Sequence, residues 1–153
     1  MDSLDLQVLQ QARDWRATGQ PVWLVTVIET WGSAPRPPGA LLAMRGDGLV
    51  VGSVSGGCVE DDLIDRVRKG ERVGKPSLIN YGVSKEEAAR FGLPCGGNLR
   101  LVQEPLTDTA WVDEVLTRTA RHELVARRLD LASGTVTIEP AARGEAFQFD
   151  GTQ

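Results

Sequence analysis

Residues 22–30, VWLVTVIET, decide the reading of the fold. Apolar and β-branched residues follow one another there almost without a break, the composition of a buried strand. Upstream, Leu4, Val8, Ala12 and Trp15 recur at helical spacing and Gly19 and Pro21 close the segment, so residues 4–18 are predicted to form an amphipathic helix. Downstream, after a loop rich in proline and glycine, ALLAMR and LVVGSV flank a Gly46-Asp47-Gly48 turn and read as a β-hairpin.

The same alternation continues to the end of the chain. Val59, Leu63, Ile64 and Val67 lie on one helical face, with acids in the first turn, Arg66, Arg68 and Lys69 in the last, and Gly70 after it. SLINYG reads as a strand, and Ser84-Lys85-Glu86-Glu87 as a capping box opening a short helix that stops near Phe91 before Gly92 and Pro94. GNLRLVQEP is a further strand, Trp111 to about Arg121 a helix, and LVARRLD with TVTIEP a second hairpin; FQFDGTQ is expected to be a short strand and a loose tail. The fold class that follows is α/β, one domain over residues 1–153 with a mixed β-sheet flanked by helices.

Composition narrows the function. The chain has 153 residues, a formal net charge of -4 and no run of Lys or Arg, so it lacks the basic footprint of a nucleic-acid-binding protein. Two cysteines make no disulfide framework, and MDSLDLQVLQ has neither a basic start nor an apolar core, so a reducing cytoplasm is expected. Apolar runs are far shorter than the ~20 residues needed to span a bilayer, and no membrane is expected as a partner.

Three glycine-marked loops stand at strand ends or helix starts: TWGSAPRPPGA (30–40), GSVSGGCVED (52–61) and FGLPCGGN (91–98). Glycines in such places permit positive φ or close approach of the main chain to a ligand, and two of these loops carry the only cysteines, Cys58 and Cys95. Cys58 falls at the start of a helix, where the dipole favours a thiolate, but Glu60, Asp61 and Asp62 oppose that effect. A lone cysteine there is more often buried than reactive. Cys58-Val59-Glu60 together with Pro94-Cys95-Gly96-Gly97-Asn98 partly fits a zinc deaminase; the fit fails at Asn98, which is not a usual zinc ligand, and no metal site is assigned. A single histidine, His122, supports no triad, and neither a Walker A loop nor G-x-G-x-x-G occurs.

The loops in sequence, G-S-x-P-R-x-x-G-A, G-S-V-S-G-G-C-V-E and then C-G-G, closely resemble the N-terminal domain of the xanthine dehydrogenase accessory proteins, the XdhC/CoxI family, from about Val22 to Leu106. The resemblance implies a maturation factor for molybdenum hydroxylases rather than a turnover enzyme. Such a factor binds the molybdenum cofactor (molybdopterin) as cargo, assists its sulfuration, and delivers it to a xanthine dehydrogenase-type molybdoenzyme. Carried over by position, the cofactor-binding residues are Ser33, Arg36, Gly56, Gly57, Cys58, Glu60, Cys95, Gly96 and Gly97, with Cys58 and Cys95 handling metal or sulfur. Arg36 also reads as a solvated loop charge and Glu60 as a partner of the helix dipole. A cysteine desulfurase and a separate Rossmann-like protein would be further partners, because many relatives carry a C-terminal Rossmann-like domain for which this chain has no room; the chain is then a stand-alone form, half of a split pair or a truncated piece. A homodimer is expected from the general frequency of symmetric assemblies. The rivals are a zinc-dependent deaminase or hydrolase using Cys58, Glu60 and Cys95, and a non-catalytic interaction domain with structural cysteines.

Overall fold

A computed structural model describes residues 3–31, 36–54, 58–70, 74–81, 98–141, 149 and 151–152, with only the backbone at Ser3, Trp31, Cys58 and Asn98. At its centre is β1 (Val22–Trp31), paired antiparallel with β2 (Leu41–Arg45) on one side and with β5 (Asn98–Pro105) on the other. Outside these lie β3 (Val50–Gly52) and β4 (Ser77–Tyr81), giving the order β3-β2-β1-β5-β4. The unbroken apolar run of β1 has a direct cause. Val22 and Leu24 face one layer of core while Trp23, Val25 and Val27 face the other, so both sides of the strand are buried.

The α/β class is as expected, and strand direction refines it: each pairing in this sheet is antiparallel among the described residues, where the alternation of strands and helices led us to expect a mixed sheet. The reason is topological. The one crossover through a described helix, from β3 to β4, carries the chain from one edge of the sheet to the opposite edge, so these two strands run in the same direction without becoming neighbours.

Helix α2 (Cys58–Arg68) covers one face by inserting Val59, Leu63 and Val67 among Val25, Val27, Leu42, Met44 and Leu101. Helices α1 (Ser3–Ala17) and α3 (Ala110–Ala120) cover the other, with Val8, Leu9, Ala12 and Trp15 packed beside Trp111, Val112 and Val115. Each valine or leucine among them contributes about 1.5–3 kcal/mol when fully buried. The buried stripe of α1 departs from the expected one at its start: Leu4 is 37% exposed, and Asp5 points inward in its place at 9%.

The last hairpin, β6 (Val125–Leu129) with β7 (Val136–Pro140), is a separate two-stranded sheet laid over α3. Arg127 fastens it, with its guanidinium 4.3 Å from the Trp111 ring centroid and ion-paired to the buried carboxylate of Glu104. The predicted capping-box helix at 84–91 lies outside the described residues, and so does most of FQFDGTQ.

Candidate functional site

Strand directions gather the candidate loops. The C-terminal ends of β1, β3 and β4 and the N-terminal ends of β2 and β5 all lie at one end of the sheet. The first loop leaves β1 and returns into β2, the second leaves β3 for α2, and the chain between β4 and β5 ends in the third. Trp31 and Asn98 are register partners, so the first loop begins beside the point where the third ends.

Within the described residues the first two loops are joined through Leu41. Its backbone N–H donates to Asp5 Oδ1 at 3.3 Å, and the same carboxylate oxygen lies 3.8 Å from an Arg36 terminal nitrogen. Its carbonyl accepts the Ser53 N–H at 3.3 Å. The Ser53 hydroxyl in turn donates to Glu60 Oε1 at 3.2 Å, and the Val54 N–H donates to that oxygen at 2.7 Å. One line of polar contacts thus runs from Arg36 and Asp5 through the start of β2 to the first turn of α2.

Gly52 makes this close approach of β3 to the start of β2 possible. It has φ +91°, and a Cβ there would fall within 3.0 Å of the Leu41 carbonyl oxygen and 2.7 Å from Val8 Cγ2. Farther along α2, Asp62 accepts the Tyr81 hydroxyl at 2.7 Å and pairs with Arg66 Nε at 3.0 Å. Tyr81 is the last residue of β4 and is buried, so this bond ties α2 to the strand that leads toward Cys95.

The expected site residues fall into two groups. Arg36 and Glu60 are described, each anchored to the sheet end as above, and Cys58 is described as the first backbone position of α2. Ser33, Gly56, Gly57, Cys95, Gly96 and Gly97 lie outside the described residues. Sequence reasoning missed Asp5, which is far from Arg36 along the chain and sat next to an expected apolar stripe. It also read Glu60 as a dipole partner, whereas this 8% exposed carboxylate turns back to hold Ser53 and Val54. The signal for that was available: a glutamate at the third position of a helix is placed to reach back to the chain that enters it. Among the described residues no group of three or more His, Cys, Asp or Glu could hold a metal ion.

Fold and site together define an α/β domain in which the strand ends flanking the glycine-marked segments lie at one end of an antiparallel sheet. Residues 15–82 match the XdhC and CoxI family. The chain is 31% identical over 94% of its length to the molybdenum cofactor insertion chaperone PaoD of Escherichia coli K12, covering 45% of that protein. It is 34% identical over 49% of its length to a Bacillus subtilis 168 protein described as a probable xanthine dehydrogenase subunit, covering 23% of it. The chain therefore spans less than half the length of these relatives. A crystal structure described as a xanthine dehydrogenase from Bacillus halodurans has the same fold, with a TM-score of 0.69 at 23% identity over 92% of this chain and 46% of that one.

Proposed function

We propose that residues 1–153 act as one XdhC/CoxI-like unit that binds the molybdenum cofactor as cargo and assists its sulfuration and insertion into a xanthine dehydrogenase-type apoenzyme. The observation that carries this reading is that the strand ends flanking the three glycine-marked loops all lie at one end of the sheet, in a chain similar along 94% of its length to a molybdenum cofactor insertion chaperone. The residue chemistry suits that cargo. Arg36 offers hydrogen-bond donors to a phosphate, glycine-flanked amides allow close approach to a pterin, and the thiols of Cys58 and Cys95 are soft donors for molybdenum or carriers of sulfur. Glu60 supports the site from behind by holding the chain that enters α2.

In this reading the cofactor is carried rather than consumed. A cysteine desulfurase supplies sulfur, a Rossmann-like domain acts alongside, two copies pair, and the work takes place in the cytoplasm. No described helix is long and apolar enough to cross a membrane, which is compatible with that setting. The test is fluorescence of the oxidised pterin released from protein purified out of a molybdopterin-producing host, with metal analysis of the same sample. Retained pterin, reduced in Cys58→Ala and Cys95→Ala, is expected. Absence of pterin, or wild-type retention in both variants, refutes the cysteine site, and stoichiometric zinc would favour the deaminase reading.

A further inference from the structure

Arg36 is held by charge with its donors unspent. The terminal nitrogen nearest Asp5 is 3.8 Å from the carboxylate, beyond hydrogen-bond reach, and Arg36 Nε is buried without a hydrogen-bond partner among the described residues. The two side chains are only 23% and 13% exposed, so the pairing is formed largely away from water. A buried guanidinium N–H without an acceptor is costly, and a planar fork of this kind is satisfied best by two oxygens of one oxyanion. Asp5 meanwhile is pinned in place by the Leu41 N–H, so it cannot follow the arginine outward without giving up that bond.

We infer that Asp5 and Arg36 form a phosphate-monoester site in which Asp5 is a built-in competitor. Arg36 supplies the donors, and the Asp5 carboxylate, close behind it, repels the incoming anion and offsets part of the attraction. The consequence is a moderate grip on the phosphate end of a ligand, which suits a protein that must hand its cargo on. The ligand class deepens the reading of Arg36 as a cargo contact and rests on it. The competitor role of Asp5 goes beyond that reading.

The test uses the whole chain and a phosphate monoester, phosphoethanolamine, with inorganic sulfate as a second probe, followed by titration of the Arg36 Nε–H resonance and by calorimetry. Asp5→Asn, which keeps an acceptor for Leu41 N–H, is expected to bind the monoester roughly tenfold more tightly than wild type, about 1.4 kcal/mol. Arg36→Gln abolishes binding, Arg36→Lys keeps the charge but loses the fork and weakens it, and Asp5→Asn on the Arg36→Gln background restores nothing. Unchanged or weaker binding in folded Asp5→Asn, checked by its thermal unfolding, overturns the competitor role. Equal binding by wild type and Arg36→Gln overturns the site. Monoester binding that depends on Arg36 in a protein that retains no molybdopterin would leave this inference standing and refute the proposed cargo.

Discussion

Gly52→Ala tests whether the end of β3 approaches the start of β2 as tightly as its geometry implies. Two costs combine. The backbone at Gly52 has φ +91°, a left-handed conformation that costs a residue with a Cβ roughly 1–2 kcal/mol. The new methyl would also collide with the Leu41 carbonyl oxygen, which is backbone and accepts the Ser53 N–H, and with Val8 Cγ2; such overpacking costs about 1–3 kcal/mol. The sum is a loss of about 2–5 kcal/mol. Gly70→Ala separates the two terms, because Gly70 has φ +90° but, among the described residues, no atom within 4 Å of its would-be Cβ. It should lose only the conformational part, about 1–2 kcal/mol. Urea unfolding of wild type and both variants, fitted with a shared slope, gives the difference directly. Equal losses in the two variants would refute the steric argument, and with it the claim that β2 and the loop leaving β3 are held in one fixed relation.

Three further outcomes are expected. Glu60→Ala should cost about 1.5–3 kcal/mol, since it removes a carboxylate that accepts from Ser53 and Val54, and the Val54 amide should exchange with solvent much faster in the variant. Arg127→Met should cost about 3–5 kcal/mol by leaving Glu104 buried without its cation, whereas the double variant Arg127→Met/Glu104→Met should recover most of the loss in thermal unfolding. Asp47, held by the Arg45 guanidinium and the Leu49 N–H, has its pKa lowered from 3.8 to about 2. Because the folded value is depressed, its stabilising contribution is complete above pH 4 and fades as the pH falls toward about 2; an NMR titration of its carboxyl carbon should show that midpoint, and Arg45→Gln should move it upward.

How far the sequence carried can be seen at particular residues. The two-sided burial of β1 is written in consecutive apolar residues, and the β2–β3 hairpin in the Gly46-Asp47-Gly48 turn, because both are local signals. Strand direction was not legible, since it depends on which edge of the sheet the crossover helix delivers the chain to. Arg36 and Glu60 became candidates only through the family resemblance of the loops they occupy, and their partners were not identified. Asp5 meets Arg36 only because α1 packs across the start of β2, and an aspartate beside an apolar stripe carries no mark of having turned inward. That the strand ends flanking these loops share one end of the sheet was likewise invisible until every strand had a direction.

The arrangement also gives the molecule two ends with different tolerances. Opposite the loops stand the Gly46–Gly48 turn, the start of β1 and the close of β5. Here the Arg45 to Asp47 pair is solvent-facing and Leu49 is 49% exposed, so a dye, an affinity tag or an inserted peptide placed at this turn sits a full sheet length from the candidate site. Immobilising the protein through that end would leave the loop-bearing end facing whatever is offered to it, which is the orientation a binding measurement needs.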